Sequence, residues 1–344
     1  MEARGPHMKT MRPLIILLGA LGVLTGCTNC GGGQTTAAGP APPPIAPDRP
    51  NFDRSQAFEA LEQQCAFGVR APGSTGHETC RAWLVSQLEQ SADAVVLQDF
   101  TSRTPLGGPY EFQNILAVFG SAASGEPLLL GAHWDTRPIA DEDPLVANRS
   151  QPILGANDGA SGVAILLELA RLMKNNAPPR PIIIALFDAE DSGVSGVTEF
   201  PYQGFCIGSD YLAGNWPASV TAPAEMVLLD LVGTDSVNNP RLQPDGGIDG
   251  PAFKLEGYSL SSAPRLVNDI WTVAENRGHS AFVRNTGLTV TDDHKPFIDR
   301  GIPAVDIIHF APAEWHTIDD TPQHCSAETL YQVGDTLIGL IWGS

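Results

Sequence analysis

The sequence predicts an α/β fold, a three-layer α/β/α arrangement around a mixed, largely parallel central sheet. Two patterns carry this. Short, nearly continuous apolar runs recur at residues 115–119, 128–130, 182–187, 227–229 and 305–308, as expected of strands buried on both faces of a sheet. Helical patterns fall before, between and after them, and such alternation marks a layered α/β domain.

In chain order, residues 58–65 and 79–88 read as amphipathic helices ahead of the first run. Residues 161–174 lie between the second and third runs and read as a buried helix, with Val163, Leu166, Leu167, Ala170 and Met173 on its apolar side. Residues 263–277 carry another helical pattern, and residues 327–342 carry the last. No internal repeat is present. A chain of 344 residues, 42% hydrophobic and 17% charged, can bury a sizeable core. A formal charge of −19 and 7% aromatic residues argue against nucleic acid as a partner, because phosphate recognition needs clustered Lys and Arg.

The N-terminus reads as a targeting segment. Lys9 and Arg12 precede an apolar stretch over residues 14–24, too short to span a bilayer comfortably. Leu24-Thr25-Gly26-Cys27 follows. This resembles a bacterial lipobox, which implies cleavage before Cys27 and its lipidation. Thr28 after the cysteine resembles the outer-membrane sorting pattern. The expected division is a signal peptide over 1–27, a spacer over 28–50 and a catalytic domain over 51–344, anchored by lipid in the bacterial cell envelope. The spacer is rich in Gly, Pro, Ala and Thr, a composition that cannot bury a core. Cys30 lies in it. Cys65, Cys80, Cys206 and Cys325 remain in the domain. An exported domain can form disulfides, and Cys65 with Cys80 is the expected pair because the two are close in sequence. Four buried thiols are the alternative.

Polar residues gather directly after the apolar runs. His133 and Asp135 follow the second run, Glu190 and Asp191 the third, and Asp230 the fourth. Asp158 precedes the buried helix, while Asp292, Asp293, His294 and His316 lie near the end. In open α/β sheets, ligands bind outside the carboxyl ends of the strands. Any one of these residues alone would usually be a helix cap or a loop carboxylate. Their recurrence at successive strand ends points to one cleft. Clustered carboxylates repel unless a cation or shared protons offset them. Carboxylates and imidazoles without thiolates suit a catalytic zinc site with an open position.

The ordered motifs His-Trp-Asp at 133–135, Gly-Ala-Asn-Asp-Gly-Ala-Ser-Gly at 155–162, Asp-Ala-Glu-Asp at 188–191, Leu-Leu-Asp at 228–230, Asp-Asp-His at 292–294 and Trp-His-Thr at 315–317 resemble the zinc exopeptidase superfamily. Within it they most resemble animal-type glutaminyl-peptide cyclotransferases and their bacterial relatives. The resemblance covers nearly the whole domain. It implies zinc ligands at Asp158, Asp191 and His316, a general acid/base at Glu190, and a hydrogen-bonded pair of Asp230 and Asp292 beside the reacting amine. It implies a substrate pocket lined by Trp315. Animal cyclases carry Glu where this chain has Asp191, and a Trp that closes over substrate in the stretch after it; none stands at 192–198. Trp134 or Trp216 is the expected substitute.

The implied reaction converts the N-terminal glutamine of a peptide to pyroglutamate with loss of ammonia. The competing reading is a two-zinc aminopeptidase, whose second metal would use His133 with Asp158 and Asp230. A peptide-binding surface module without activity is a third, disfavoured because a binding module needs no acid/base such as Glu190. Peptide N-termini are the expected partners in the enzyme readings. His77 and His279 are expected at the surface or as caps, His309 and Trp271 in the core, and His294 either orienting the acidic pair or capping a turn.

Overall fold

The computed structural model describes residues 49–235 and 252–343. Cys27, Cys30 and most of the spacer lie outside them. The elements in order are α1 (Arg54–Ala66), α2 (Thr75–Glu89), β1 (Ala94–Thr104), β2 (Gly107–Phe119), β3 (Leu128–His133), α3 (Ala160–Asn175), β4 (Ile182–Phe187), α4 (Ile207–Gly214), β5 (Glu225–Asp230), β6 (Phe253–Leu255), α5 (Gly257–Ser262), α6 (Pro264–Arg277), β7 (Phe282–Thr286), α7 (Lys295–Ile298), β8 (Ala304–Ile308) and α8 (Ala327–Trp342).

Six strands form the main sheet in the order β1-β2-β4-β3-β5-β8. β4, β3, β5 and β8 run parallel, and β2 and β1 add antiparallel strands at one edge. The sheet is therefore mixed and largely parallel, as the apolar runs predict. Its strands alternate between two cores. Leu128, Leu130, Ile182, Ile184, Val227 and Leu229 face α1, α2, α3, α6 and α8. Leu129, Ile183, Ala185, Met226 and Leu228 face the opposite side, where Leu212 of α4 and Phe297 of α7 cover them. Burial on both faces explains why these strands read as continuous apolar runs rather than alternating ones.

β1 opens on a short apolar run, Ala94-Val95-Val96-Leu97, that the strand pattern above does not include. It is an edge strand with a mostly exposed pattern that continues through Gln98, Asp99 and Thr101, so most of its length carries no buried signal. α3 is buried along nearly its whole length, which accounts for its broad apolar surface. Trp271 is fully buried, as expected.

Several expectations are corrected. Cys65, Cys80, Cys206 and Cys325 are all free and buried. Cys65 and Cys80 sit on α1 and α2 as ordinary apolar filling of the larger core, and burial pushes the Cys80 thiol up to about 12, so neither is a poised thiolate. His279 is buried rather than exposed, with Nε2 2.9 Å from Asp335 Oδ2. Arg49, assigned to the spacer by composition, is also bound to Asp335, at 3.1 Å.

Asp335 of α8 also takes Arg277 of α6 at 2.5 Å, so one carboxylate joins the chain entry to two helices. Burial pushes this carboxyl up, but the His279 and Arg277 hydrogen bonds outweigh it and hold it below the ordinary range. A carboxyl held lower in the folded than in the unfolded chain stabilises above its unfolded pKa, and that contribution is lost as pH falls through the folded pKa. Asp335→Asn should lower stability by about 2–3 kcal/mol at neutral pH, with the gap narrowing below about pH 4. Urea unfolding of both proteins across pH measures it; a gap that is undiminished at low pH would contradict this account.

Candidate active site

In the strand order, β3 lies between β4 and β5, and the chain leaves β3 toward one side and returns to β5 on the other. This is a topological switch point, where a crevice opens at the carboxyl ends. β3 ends at His133 and β5 at Asp230, and Glu190 and Asp191 follow β4. Asp158 lies in the turn before α3, Asp292 between β7 and α7, and His316 after β8. Asp158, Glu190, Asp191, Asp230, Asp292 and His316 all line one cavity of about 260 Å³.

Two overlapping sets of ligand atoms share Asp158. Asp158, Asp191 and His316 place one atom each within 4.8 Å of one another, as do His133, Asp158 and Asp230. His316 Nε2 is 3.4 Å from Asp191 Oδ1 and 3.7 Å from Asp158 Oδ2. His133 Nε2 is 3.0 Å from Asp158 Oδ1 and 3.3 Å from Asp230 Oδ1. Asp191 Oδ2 is buried without a hydrogen-bond partner, an orphaned acceptor that a cation would satisfy. Two carboxylates and an imidazole with room for a further ligand form a zinc-type donor set. The residues fit zinc.

Of the groups behind these residues, only Asp135 was legible in the motifs. Asp320 accepts the backbone N–H groups of Asn157 at 2.8 Å and Asp158 at 3.0 Å. Asp135 does the same for Glu190 at 3.0 Å and Asp191 at 3.2 Å. Arg137 donates to Asp191 Oδ1 at 3.1 Å and forms a two-pronged pair with Asp141, both bonds at 2.7 Å. Asp141 Oδ1 in turn lies 3.4 Å from His316 Nδ1, the arrangement that orients a ligating imidazole. Backbone strain gathers at the same place. Ala189 (φ 58°), Leu231 (φ 51°) and His316 (φ 53°) adopt left-handed conformations costing about 1–2 kcal/mol each, and they adjoin or bear the site's side chains. Gly159 (φ 92°) is required where it stands, because a Cβ there would lie 2.8 Å from the His133 ring.

Crowding of buried acids sets the electrostatics. Burial, followed by repulsion from Asp191, raises Asp158 to about 6. Burial pushes Glu190 well above the usual carboxyl range, and Asp191, Asp293 and Asp292 add to it while His133 opposes. Burial would lower His316, but Asp191 and Asp141 outweigh it and raise the imidazole to about 9. Such a pocket holds protons or a cation. Asp292 is raised well above its usual value by burial and then by Asp230. The expected hydrogen bond between these two is absent among the described contacts. Asp292 Oδ1 takes the Asp293 N–H at 2.6 Å, its Oδ2 has no partner, and Asp230 Oδ1 takes the Leu231 N–H at 2.8 Å. Two carboxylates bond only by sharing a proton.

Trp315 lines the cavity and stacks on the His316 ring at 3.8 Å. Trp134 does not line it. Its side chain is fully buried and stacks on His77 at 4.4 Å, because alternation along β3 turns it into the core. Trp216 packs against the core under α4, with its N–H on the Val220 carbonyl at 2.8 Å. The missing aromatic cover comes instead from Tyr202, Phe205 and Phe310, which line the cavity with Leu288; no periodicity marks these loop positions. His77 is buried rather than exposed, with Nε2 2.8 Å from Asp188 Oδ1. His294 is buried, 3.4 Å from Glu256 and 3.9 Å from Asp306, so it sits among acids and does not cap a turn. His309 is half-buried and accepts the Ala252 N–H at 2.8 Å through Nδ1.

The sequence profile of peptidase family M28 matches residues 114–341. This chain belongs to that family. Similar proteins carry more than one activity name. Over 290 residues the chain is 27% identical to a glutaminyl-peptide cyclotransferase-like protein of Bos taurus, covering 78% of this chain and 70% of the bovine one. The solved glutaminyl cyclase of Tannerella forsythia is 35% identical with a TM-score of 0.77, covering 86% of this chain and all 100% of that one. A structure described as a leucine aminopeptidase precursor from Bacteroides thetaiotaomicron is 34% identical, also with a TM-score of 0.77, covering 86% and 98%.

Proposed function

We propose that this M28-family chain is a zinc-dependent glutaminyl-peptide cyclotransferase. The observation that carries the reading is one cavity in which a zinc-type trio, a raised Glu190 and the Asp230 and Asp292 carboxylates share a wall, in a chain 35% identical to the Tannerella cyclase over that protein's whole length. Asp158, Asp191 and His316 would hold zinc, which when bound would supply a Lewis acid for the glutamine side-chain amide carbonyl.

The remaining chemistry belongs to the chain. Asp230 and Asp292 hold the substrate's α-amino group at the cavity wall. Confinement of amine and amide in one small cavity supplies the orientation that a ring closure needs. Glu190 takes a proton from the α-amine as its nitrogen bonds to the amide carbon. The same carboxyl then gives that proton to the departing nitrogen, and ammonia leaves. A carboxyl raised toward neutrality suits both halves of that exchange. Trp315, Phe310 and Phe205 give the pocket apolar walls that limit water.

A specific observation keeps the aminopeptidase reading in play: His133, Asp158 and Asp230 form a second ligand trio. A paired assay decides between them. The purified protein would receive a Gln-initiated and a Leu-initiated peptide, with zinc measured on the same sample. Ammonia loss from the Gln peptide alone supports the cyclase. Release of free leucine with about two zincs per chain, as in two-metal sites, would overturn it.

The reading extends to location. Residues 24–27 support lipidation of Cys27 and attachment to the bacterial envelope, with the 28–50 segment as spacer. Cys27→Ser should move the protein from the membrane to the soluble fraction; continued membrane fractionation would exclude the anchor.

A further inference from the structure

We infer that Cys206 is a positioning residue for the general base, a thiol that holds the Glu190 carboxylate in its working orientation. This rests on the proposed role of Glu190. The Cys206 Sγ donates to Glu190 Oε1 at 3.5 Å. Among the described residues it is the side-chain hydrogen bond that this carboxylate receives. The thiol is fully buried, and burial followed by the nearby Glu190 charge pushes it well above the ordinary thiol range. It stays protonated and remains a donor.

The backbone fixes the thiol in place. Cys206 adopts a left-handed conformation, φ 56°, unusual for a residue with a side chain. Its N–H binds the Glu190 carbonyl at 3.1 Å, and the Ile207 N–H binds the Ala189 carbonyl at 3.1 Å. The start of α4 is thereby stapled to the segment that carries the base. The connection continues on the other side. Ser209 Oγ donates to the Cys206 carbonyl at 3.1 Å and also contacts Asp293, whose N–H is bound by Asp292. Glu190, Cys206 and Asp292 bring one atom each within 4.8 Å of one another, so the thiol lies close to both the base and the amine-holding carboxylate. A thiol is a weak donor. It can fix one carboxylate oxygen while leaving the other free for proton exchange.

The test compares Cys206→Ser and Cys206→Ala on a Gln-initiated peptide, with zinc content measured on each. Serine keeps a donor; alanine removes it. Loss of one hydrogen bond predicts that kcat falls about 5- to 10-fold in the alanine variant, with KM and zinc unchanged and serine close to wild type. An arm independent of turnover reads the infrared S–H stretching band. Cys206→Ala identifies the band, and Glu190→Gln should shift it as the acceptor changes from carboxylate to amide. Alanine matching wild type, or serine falling as far as alanine, would reduce Cys206 to packing. An S–H band unmoved by Glu190→Gln would also overturn the inference. A wild type that cyclises nothing defeats the cyclase reading alone, and the infrared arm still decides the thiol.

Discussion

Glu190→Gln should lower kcat on a Gln-initiated peptide by about 10²- to 10⁴-fold, the range of a lost general acid/base. The substitution keeps the side-chain shape and removes the proton exchange. The backbone around it should not move, because the Glu190 N–H is held by Asp135 at 3.0 Å rather than by its own side chain. Zinc should stay bound, since the proposed ligand trio of Asp158, Asp191 and His316 does not include position 190. The measurement is kcat with zinc content on the same sample. Turnover within about tenfold of wild type would remove Glu190 from the proton path. A drop accompanied by zinc loss would mean that the residue acts on the metal instead.

The second large effect is expected at Arg137. This guanidinium is buried and compensates two acids, Asp191 at 3.1 Å and Asp141 at 2.7 Å. Replacing it with Met retains volume and leaves Asp191 facing Asp158 with less compensation. Removing one partner of a buried ion pair costs on the order of 3–5 kcal/mol; the exposure of Asp141 moderates its share. Asp141 also reaches His316, so two of the three proposed ligands, Asp191 and His316, lose a support. Loss of such outer supports costs about 10- to 100-fold in metal affinity. Arg137→Met should therefore lose zinc to a chelator more readily and unfold at lower denaturant. Unchanged chelator sensitivity would show that Arg137 serves folding and does not orient the ligands.

The legibility of the chain follows burial. β4 coincides with the apolar run over 182–187, and α8 with the helical pattern over 327–342. Both elements bury most of their residues, so local composition reports them. β1 and the short β6 and β7 are partly exposed; β1 carries only a short apolar run at 94–97, and β6 and β7 carry none as long. His133, Asp158, Glu190, Asp191 and Asp230 were legible because each sits near a strand end or helix start, where polar residues interrupt an apolar pattern; Asp292 and His316 lie in loops and were legible only through the motif resemblance. Trp134 shows the limit of that reasoning. It adjoins His133 in sequence, yet the chain turns it into the core against His77.

By itself, the sequence determined the layered α/β class, the positions of the buried strands along the chain and the set of acids and imidazoles that gather after them. Those are local properties, set by runs of apolar side chains and by breaks in them. Only the tertiary structure decided what lies behind the ligands. Asp320 is 162 residues from the Asp158 N–H that it holds, and Arg137 is 54 residues from Asp191. It also decided that four cysteines stay free, that Asp335 ties Arg49 to α6 and α8, and that a thiol from α4's entry meets Glu190. These depend on how loops from separate strands converge, which sequence spacing does not encode.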